Sequence, residues 1–403
     1  MNNLFSRNLR NIIPLAICFA LSASTSSLTV SASSIIGFDI SSNKSLSTLP
    51  LSFHLIGTML SGLPASLLMK KIGRKFGFIF GTIIGLIGAA SSSLSIVYKN
   101  FPFFCFSVFC LGILSGFTQL YRFAAVDVTS ESFRTKAISF VMLGGIFAGF
   151  IGPAVASSAK NFLNNSPFAG SYIYMILIHL LVIFILLKVN LPKPSIEEKT
   201  GKRRKLSKIF FQPKFLVAIL SSMISYGVMA LVMTATPLAM TEYCGYPFSD
   251  AAFVIQWHVV GMFAPSFFTG SLIKRFGPIK IIITGIILNF LCILTNFAGN
   301  NVFNFWWSLI LLGVGWNFMF VSGTSMVTDT YSPSEKAIVQ GVNDFLVFGS
   351  AAFTSLIAGL IQTSIGWEAI NYSAIFFLFI LILVHIWYYL KISNSKKAKA
   401  LVT

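Results

Sequence analysis

The chain has 403 residues, of which 55% are hydrophobic and 10% charged, with a mean hydropathy of +0.82, whereas soluble chains carry roughly 25% charged residues. Its 29 Lys and Arg against 11 Asp and Glu give a formal charge of +18, but the cations lie in short strips between apolar runs, a pattern that sets membrane topology rather than one that binds nucleic acid. A soluble enzyme, a disordered chain and a secreted disulfide scaffold are excluded, and an all-α polytopic membrane protein is expected.

The first residues, MNNLFSRNLRN, are short and basic like the start of a signal peptide. The apolar segment that follows, about 11–33, is too long for the core of such a peptide, so an uncleaved first span is expected. Its serines, Ser22, Ser24, Ser26 and Ser27, turn it toward a polar path or another helix. Eleven further spans are expected over about 47–69, 77–97, 102–124, 137–160, 171–189, 215–239, 251–272, 279–298, 304–327, 337–361 and 370–390, since about 20 apolar residues cross a bilayer. The one long polar segment, 190–214, holds Pro192, Pro194, Glu197, Glu198 and the run Lys202-Arg203-Arg204-Lys205. It divides the chain into a first six-helix bundle over 1–189, a linker over 190–214 and a second bundle over 215–403. The basic run reads as a solvated strip beside anionic lipid.

Placing both termini in the cytoplasm leaves only Lys44, Lys99 and Lys160 of the 29 cations outside, as the positive-inside rule requires. The five cysteines, Cys18, Cys105, Cys110, Cys244 and Cys292, are scattered through apolar stretches. They read as buried small hydrophobes, and neither a metal nor a cofactor is expected.

Two pairs of segments repeat across the halves. Lys70-Lys71-Ile72-Gly73-Arg74 follows the second span and Lys274-Arg275-Phe276-Gly277-Pro278 the eighth, 204 residues later. Asp127 with Lys136-Ala137-Ile138 follows the fourth span, and Asp329 with Lys336-Ala337-Ile338 the tenth. Such repeats build transporters whose halves rock about a central site.

Twelve spans, a long central loop and a basic-glycine turn in loops 2–3 and 8–9 resemble the major facilitator superfamily over nearly the whole chain. The turn resembles that family's G-x-x-x-D-R-x-G-R signature, with Gly73, Arg74, Gly270, Arg275 and Gly277 matching and Lys71 keeping the charge of the expected arginine. Ser66 replaces the first glycine, and Lys70 and Lys274 replace the acid in both copies. The resemblance implies a cytoplasmic gate made by Lys70, Lys71, Gly73, Arg74, Asp127, Lys274, Arg275, Gly277 and Asp329, with the two aspartates pairing with these cations where the signature acid is missing. Gly144, Gly145, Gly149, Gly152 and Pro153 in span 5 resemble the glycine–proline motif of drug/proton antiporters, or serve close helix packing. Gly112 and Gly116 in span 4 read as helix contact. The stretches Tyr121-Arg122-Phe123-Ala124-Ala125, Gly313-Val314-Gly315-Trp316-Asn317-Phe318 and Gln340-Gly341-Val342-Asn343-Asp344-Phe345 resemble a bacterial subgroup, largely uncharacterised, some of whose members look similar to a proposed riboflavin transporter.

Polar groups at membrane depth point to function, because an unpaired charge there is costly. Asp344 stands about eight residues into span 11, roughly 12 Å from its inner end at helical rise. It is either a proton-coupling carboxylate or a tie between spans. Gln340, four positions earlier, shares its face, and Asn343 adjoins it. Arg122, beside Tyr121, either snorkels to the headgroups, pairs with Asp127 or binds an anionic solute group, and it is also a candidate partner for Asp344. Trp316 is away from the interfacial belt and either stacks on a flat solute or packs in the core, with Asn317 as a hydrogen-bonding neighbour. His54 and His258 are protonatable lining candidates.

A membrane enzyme would need a catalytic cluster that the chain lacks, and no nucleotide-binding motif is present to drive a pump. The expected function is secondary active transport of a small organic solute by alternating access, coupled to protons as symport or antiport. Facilitative uniport of a vitamin-like metabolite, drug or metabolite export, and a non-transporting receptor are the alternatives. The partial span-5 motif favours export by analogy. The expected partners are the solute, protons and the lipid bilayer, with no nucleic acid, and the chain is expected to act as a monomer in a bacterial inner membrane.

Overall fold

The computed structural model describes residues 2–43, 46, 48–159, 162, 163, 166–194, 196, 201 and 204–400. Lys44, Lys160, Glu197, Glu198, Lys202 and Arg203 lie outside the described residues. Among the described residues, twelve helices are long and apolar enough to cross a membrane. They are α1 (Ile12–Ile40), α2 (Leu49–Ile72), α3 (Arg74–Val97), α4 (Phe101–Asp127), α5 (Arg134–Ala156), α6 (Ala169–Lys188), α7 (Pro213–Thr241), α8 (Ser249–Phe276), α9 (Pro278–Ala298), α10 (Val302–Thr328), α11 (Lys336–Gln362) and α12 (Trp367–Lys391).

The largest departure from the expected spans is the end of α1, which runs seven residues beyond 33. Serine and threonine side chains compete with the backbone for hydrogen bonds. In this helix the hydroxyls bond back onto it instead. Thr29 donates to the Thr25 carbonyl at 2.9 Å and Ser31 to the Ser27 carbonyl at 2.9 Å. The polar atoms are thus satisfied without leaving the helix, and Ser26 reaches Ser115 of α4 at 2.6 Å.

Neighbouring spans pack in a pattern that repeats across the chain. In the first six, α1 lies on α5, α2 and α3 on α4, and α3 on α6; in the last six, α7 lies on α11, α8 and α9 on α10, and α9 on α12. The two sets meet through α2 on α11 and α5 on α8, which are equivalent pairs under the same relation. Small residues make these contacts close. A Cβ added at Gly112 or Gly116 would run into α2 at the His54 carbonyl or the Ser61 hydroxyl. In α5, Gly144 and Gly152 face α1, while Gly145 and Gly149 face Phe263 and Val259 of α8. The glycine stretch of span 5 therefore packs on both sides, against its own half and across to the other.

The repeated turns after α2 and α8 share a backbone conformation. Gly73 has φ 91° and ψ 161°, and Gly277 has φ 84° and ψ 154°, a positive φ that a side chain resists. Large apolar side chains such as Phe76, Ile87, Leu177, Phe267, Leu294 and Phe376 are exposed around the outside, where a bilayer would cover them.

The end of the bundle carrying loops 2–3, 4–5, 8–9 and 10–11, with the central linker, is called the basic end below. At this end Arg204 of the basic run is not simply solvated. Arg204 Nη2 donates to Glu335 Oε2 at 2.6 Å, its Nε to Oε1 at 2.8 Å, and its Nη2 also to the Thr330 carbonyl at 2.8 Å. Glu335 is 1% exposed and also accepts from the Ser332 backbone. The Arg204 hydrogen bonds hold the Glu335 carboxyl down to about 2. A buried carboxylate at the start of α11 needs a cation, and the linker supplies it.

Candidate functional site

Helix α4 is interrupted by a single turn at Leu120, after which Tyr121–Asp127 resumes as a short helix. This places Arg122 deep in the bundle, fully buried, instead of extended toward headgroups. Its Nη2 donates to Asp344 of α11, and its Nη1 to Gln119 Oε1 at 2.8 Å. The Arg122–Asp344 pair joins the two halves of the chain at membrane depth, and both side chains are completely covered. Among the described residues, Arg122 Nε, Asp344 Oδ2 and Asn343 Oδ1 are buried without a hydrogen-bond partner. A buried ion pair with open valences is a costly arrangement, and open atoms of this kind can accept a proton or a hydrogen bond from another polar group.

Asn343 does reach Asp344, its Nδ2 donating to Oδ1 at 2.9 Å. Gln340, expected on the Asp344 face, turns toward the basic end instead: Oε1 accepts from Arg74 Nη2 at 3.0 Å, and Nε2 donates to the Tyr331 hydroxyl at 2.7 Å. The Arg74 guanidinium draws it there.

An aromatic wall stands against the ion pair. The Arg122 guanidinium lies 4.8 Å from the Phe320 ring and 4.7 Å from Phe123, at cation–π distance. Phe320 stacks on Trp316 with centroids 5.0 Å apart and planes 19° from parallel. Tyr226 of α7 meets Trp316, Phe320 and Phe348 edge-on at 5.2, 5.0 and 4.9 Å, and Phe263 of α8 adds a further edge to Trp316 at 5.7 Å. Trp316 Nε1 has no hydrogen-bond partner among the described residues. Tyr226, Phe320 and Phe348 were not singled out from the sequence. Among 42 phenylalanines nothing marks two, but Tyr226 was findable by the reasoning applied to Trp316, since it is an aromatic with a polar tip far from either interface.

The remaining candidates have other neighbours. Tyr121 stacks flat on Phe78 at 3.9 Å. The Asn317 amide is used in joining α10 to the break in α8 at Pro265: Nδ2 donates to the Met262 carbonyl at 2.6 Å and to Ser266 Oγ at 2.7 Å, and Oδ1 accepts from Thr269 at 2.7 Å. His258 Nδ1 lies 2.7 Å from the Leu309 carbonyl of α10. His54 Nε2 lies 3.1 Å from Ser115 Oγ, which continues to Ser26, a polar line across α2, α4 and α1. Among the described residues no three His, Cys, Asp or Glu side chains come together as metal ligands would.

At the basic end, the two copies of the repeated turn behave differently. Asp127 takes Arg74 Nε at 3.1 Å and Lys336 Nζ at 2.7 Å, a bridge from the first half to the second. Asp329 pairs with Lys214 of α7 at 2.8 Å and not with Lys274 or Arg275, which are exposed, as is Lys71. The reason is in the sequence: the position equivalent to Arg74 is Pro278, so no guanidinium stands there to meet Asp329. Lys70 faces a cavity at this end.

The sequence profile of the Major Facilitator Superfamily matches residues 15–255 and 218–402. The chain belongs to the Major Facilitator Superfamily. Among relatives of this superfamily member, the riboflavin transporter RfnT of Brucella anthropi is 38% identical over 367 residues, covering 90% of this chain and 92% of the relative. The uncharacterized MFS-type transporter YddS of Bacillus subtilis is 24% identical, covering 91% and 88%. In fold, the chain matches the transporter FucP in its outward conformation with a TM-score of 0.69 and 18% identity, over 95% of this chain and 99% of that one. It also matches the human organic anion transporter MFSD10 with a TM-score of 0.74 and 11% identity, over 94% and 99%. The chain is a multi-pass membrane transporter of a small solute with the twelve-helix fold of this superfamily.

Proposed function

We propose that the chain carries riboflavin, or a flat heteroaromatic solute closely similar to it, across a bacterial inner membrane by proton-coupled alternating access. The observation that carries this reading is the Trp316–Tyr226–Phe320–Phe348 wall set against the Arg122–Asp344 pair at membrane depth. An apolar site with a few convergent polar groups is the usual form of a small-molecule site, and aromatic faces suit a planar ring system. The 38% identity to a riboflavin transporter over nearly the full chain supports the substrate class.

In this reading residues 1–189 and 215–403 move as two bodies joined by the 190–214 linker. The basic end, with both termini, faces the cytoplasm, and the protein acts as a monomer. Asp127, Arg74, Gln340 and Lys336 close the basic end, and Asp344 ties the halves through Arg122. A proton taken up on Asp344 removes its charge and weakens the hold on Arg122, whose guanidinium then turns to the polar edge of the solute. Loss of the proton restores the tie. Coupling follows because the solute and the proton act on one charge pair.

Purified protein reconstituted in vesicles tests this. Labelled riboflavin should exchange by counterflow without a gradient and accumulate when a pH gradient is imposed. Counterflow without gradient-driven accumulation would indicate a uniporter, and no riboflavin counterflow would remove the substrate assignment.

A further inference from the structure

A cavity lies at the basic end, between the halves, with a volume of about 480 Å³, within the range of small-molecule sites. It is walled by the ends of α2 and α3, the α4–α5 turn, the linker at 192–194 and the α10–α11 loop. Five cations line it: Lys70 and Arg74 at the α2–α3 turn, Arg134 opening α5, Lys193 of the linker and Lys336 opening α11. Among the described lining residues Asp127 is the one carboxylate, and it already takes both Arg74 and Lys336. Arg134 faces Glu131 across an exposed contact of 3.2 Å, a pairing that neutralises little. Like charges gathered in a concave site repel one another and concentrate anions.

The remaining lining is shaped for more than an inorganic ion. The prolines Pro192, Pro194 and Pro333 give it rigid apolar sides. Tyr331 lines it with a hydroxyl that accepts from Gln340 Nε2 at 2.7 Å, leaving its own hydrogen to donate. Guanidinium, ammonium and phenol donors around a site with excess positive charge match a phosphate dianion.

We propose that this cavity is a regulatory site for a soluble organic phosphate monoester, distinct from the transport site at Arg122–Asp344. Its walls come from both halves and from the linker, so it is complete only when the basic end is shut. A ligand that binds this state stabilises it by its differential affinity, and transport slows. The side from which it acts rests on the topology given above.

The test uses the full chain and phenyl phosphate as probe. Calorimetry in detergent should show saturable binding, with phenol inert and inorganic phosphate weaker. R134Q/K193Q should weaken it about tenfold or more, as expected when charge-assisted contacts are lost, while R134K/K193R, which keeps both charges, should weaken it less than R134Q/K193Q does. Neither pair belongs to the transport site or to the gate bridges, so riboflavin counterflow without the probe should be unchanged. In vesicles, phenyl phosphate on the basic-end side should slow counterflow in the native chain and not in R134Q/K193Q. Absent saturable binding, or binding indifferent to R134Q/K193Q, would overturn the site. Binding seen in phosphatidylcholine but abolished by phosphatidylglycerol would assign the cavity to a lipid headgroup and overturn the soluble ligand. Binding is read without transport, so failure of riboflavin counterflow alone would leave this site standing and remove only the substrate assignment.

Discussion

At the scale of single residues, the chemistry converges on Asp344. Removing one member of a buried ion pair strands the other, at a cost of about 3–5 kcal/mol, so Asp344→Asn alone confounds folding with coupling. The double variant R122Q/D344N keeps a neutral hydrogen-bonding pair in the same space and separates the two. If Asp344 carries the proton, Asp344→Asn should retain riboflavin counterflow per folded molecule, R122Q/D344N should show weakened counterflow because the Arg122 guanidinium is gone, and both should lose accumulation driven by a pH gradient. If it only ties α4 to α11, R122Q/D344N should accumulate riboflavin as the native chain does. The aromatic wall makes its own forecast. Stacking of a base on an aromatic side chain is worth about 1–3 kcal/mol, so Trp316→Ala should raise the riboflavin dissociation constant about tenfold or more in equilibrium dialysis, with Trp316→Phe intermediate. An unchanged constant in Trp316→Ala would move the solute away from this wall. The sequence showed Asp344, Arg122 and Trp316 because charge and tryptophan are conspicuous at membrane depth. It could not show that they meet, because 222 residues separate the arginine from its carboxylate.

At the scale of elements, close helix approach and loop clamps decide what the spans can do. A methyl group at Gly112 would collide with the His54 backbone of α2, whereas one at Gly227 would meet Thr354 Cγ2 at an ordinary 3.5 Å. Gly112→Ala should therefore lower the melting temperature of the purified protein by the equivalent of about 1–3 kcal/mol of overpacking. Gly227→Ala should leave it unchanged or raise it, since alanine favours the helix. Equal effects would mean that the α2–α4 contact is loose. The Arg204–Glu335 clamp adds a pH term. Its carboxyl is depressed to about 2 from an ordinary 4.5, so the stability it lends is fully present above about pH 4.5. That stability is lost as the pH falls through about 2, below which the carboxylate is protonated in folded and unfolded chains alike. Melting temperatures between pH 6 and 3 should fall more steeply in the native chain than in Glu335→Gln. Parallel curves would show that the clamp contributes nothing. The spans were legible because apolar length is a local property, and the paired glycine turns because positive φ restricts residue type. The clamp was not, since a basic run looks the same whether it faces water or one buried carboxylate.

At the scale of the whole molecule, the structure is closed at the basic end. The halves meet there through Asp127 and Lys336, Arg74 and Gln340, and Thr135 and Ser325, whose hydroxyls are 3.4 Å apart. The Thr135–Ser325 pair is the useful one, because it joins α5 to α10 across the halves and carries no charge of the gate. Replacing both by cysteine places two thiols within disulfide reach. If solute crosses by alternating access, each single variant should transport normally, and oxidised T135C/S325C should lose riboflavin counterflow by about tenfold or more, with reductant restoring it. The lock alone would not distinguish a trapped transporter from a damaged one, so binding supplies the second readout. A molecule shut at the basic end but free to open at the other should still bind riboflavin with near-native affinity when oxidised, because the wall at Trp316 and Tyr226 is untouched. Binding without turnover is the signature of one arrested half-cycle. Continued counterflow in a fully cross-linked sample would mean that solute passes without separation of the halves at this end, and alternating access would have to be abandoned for this chain.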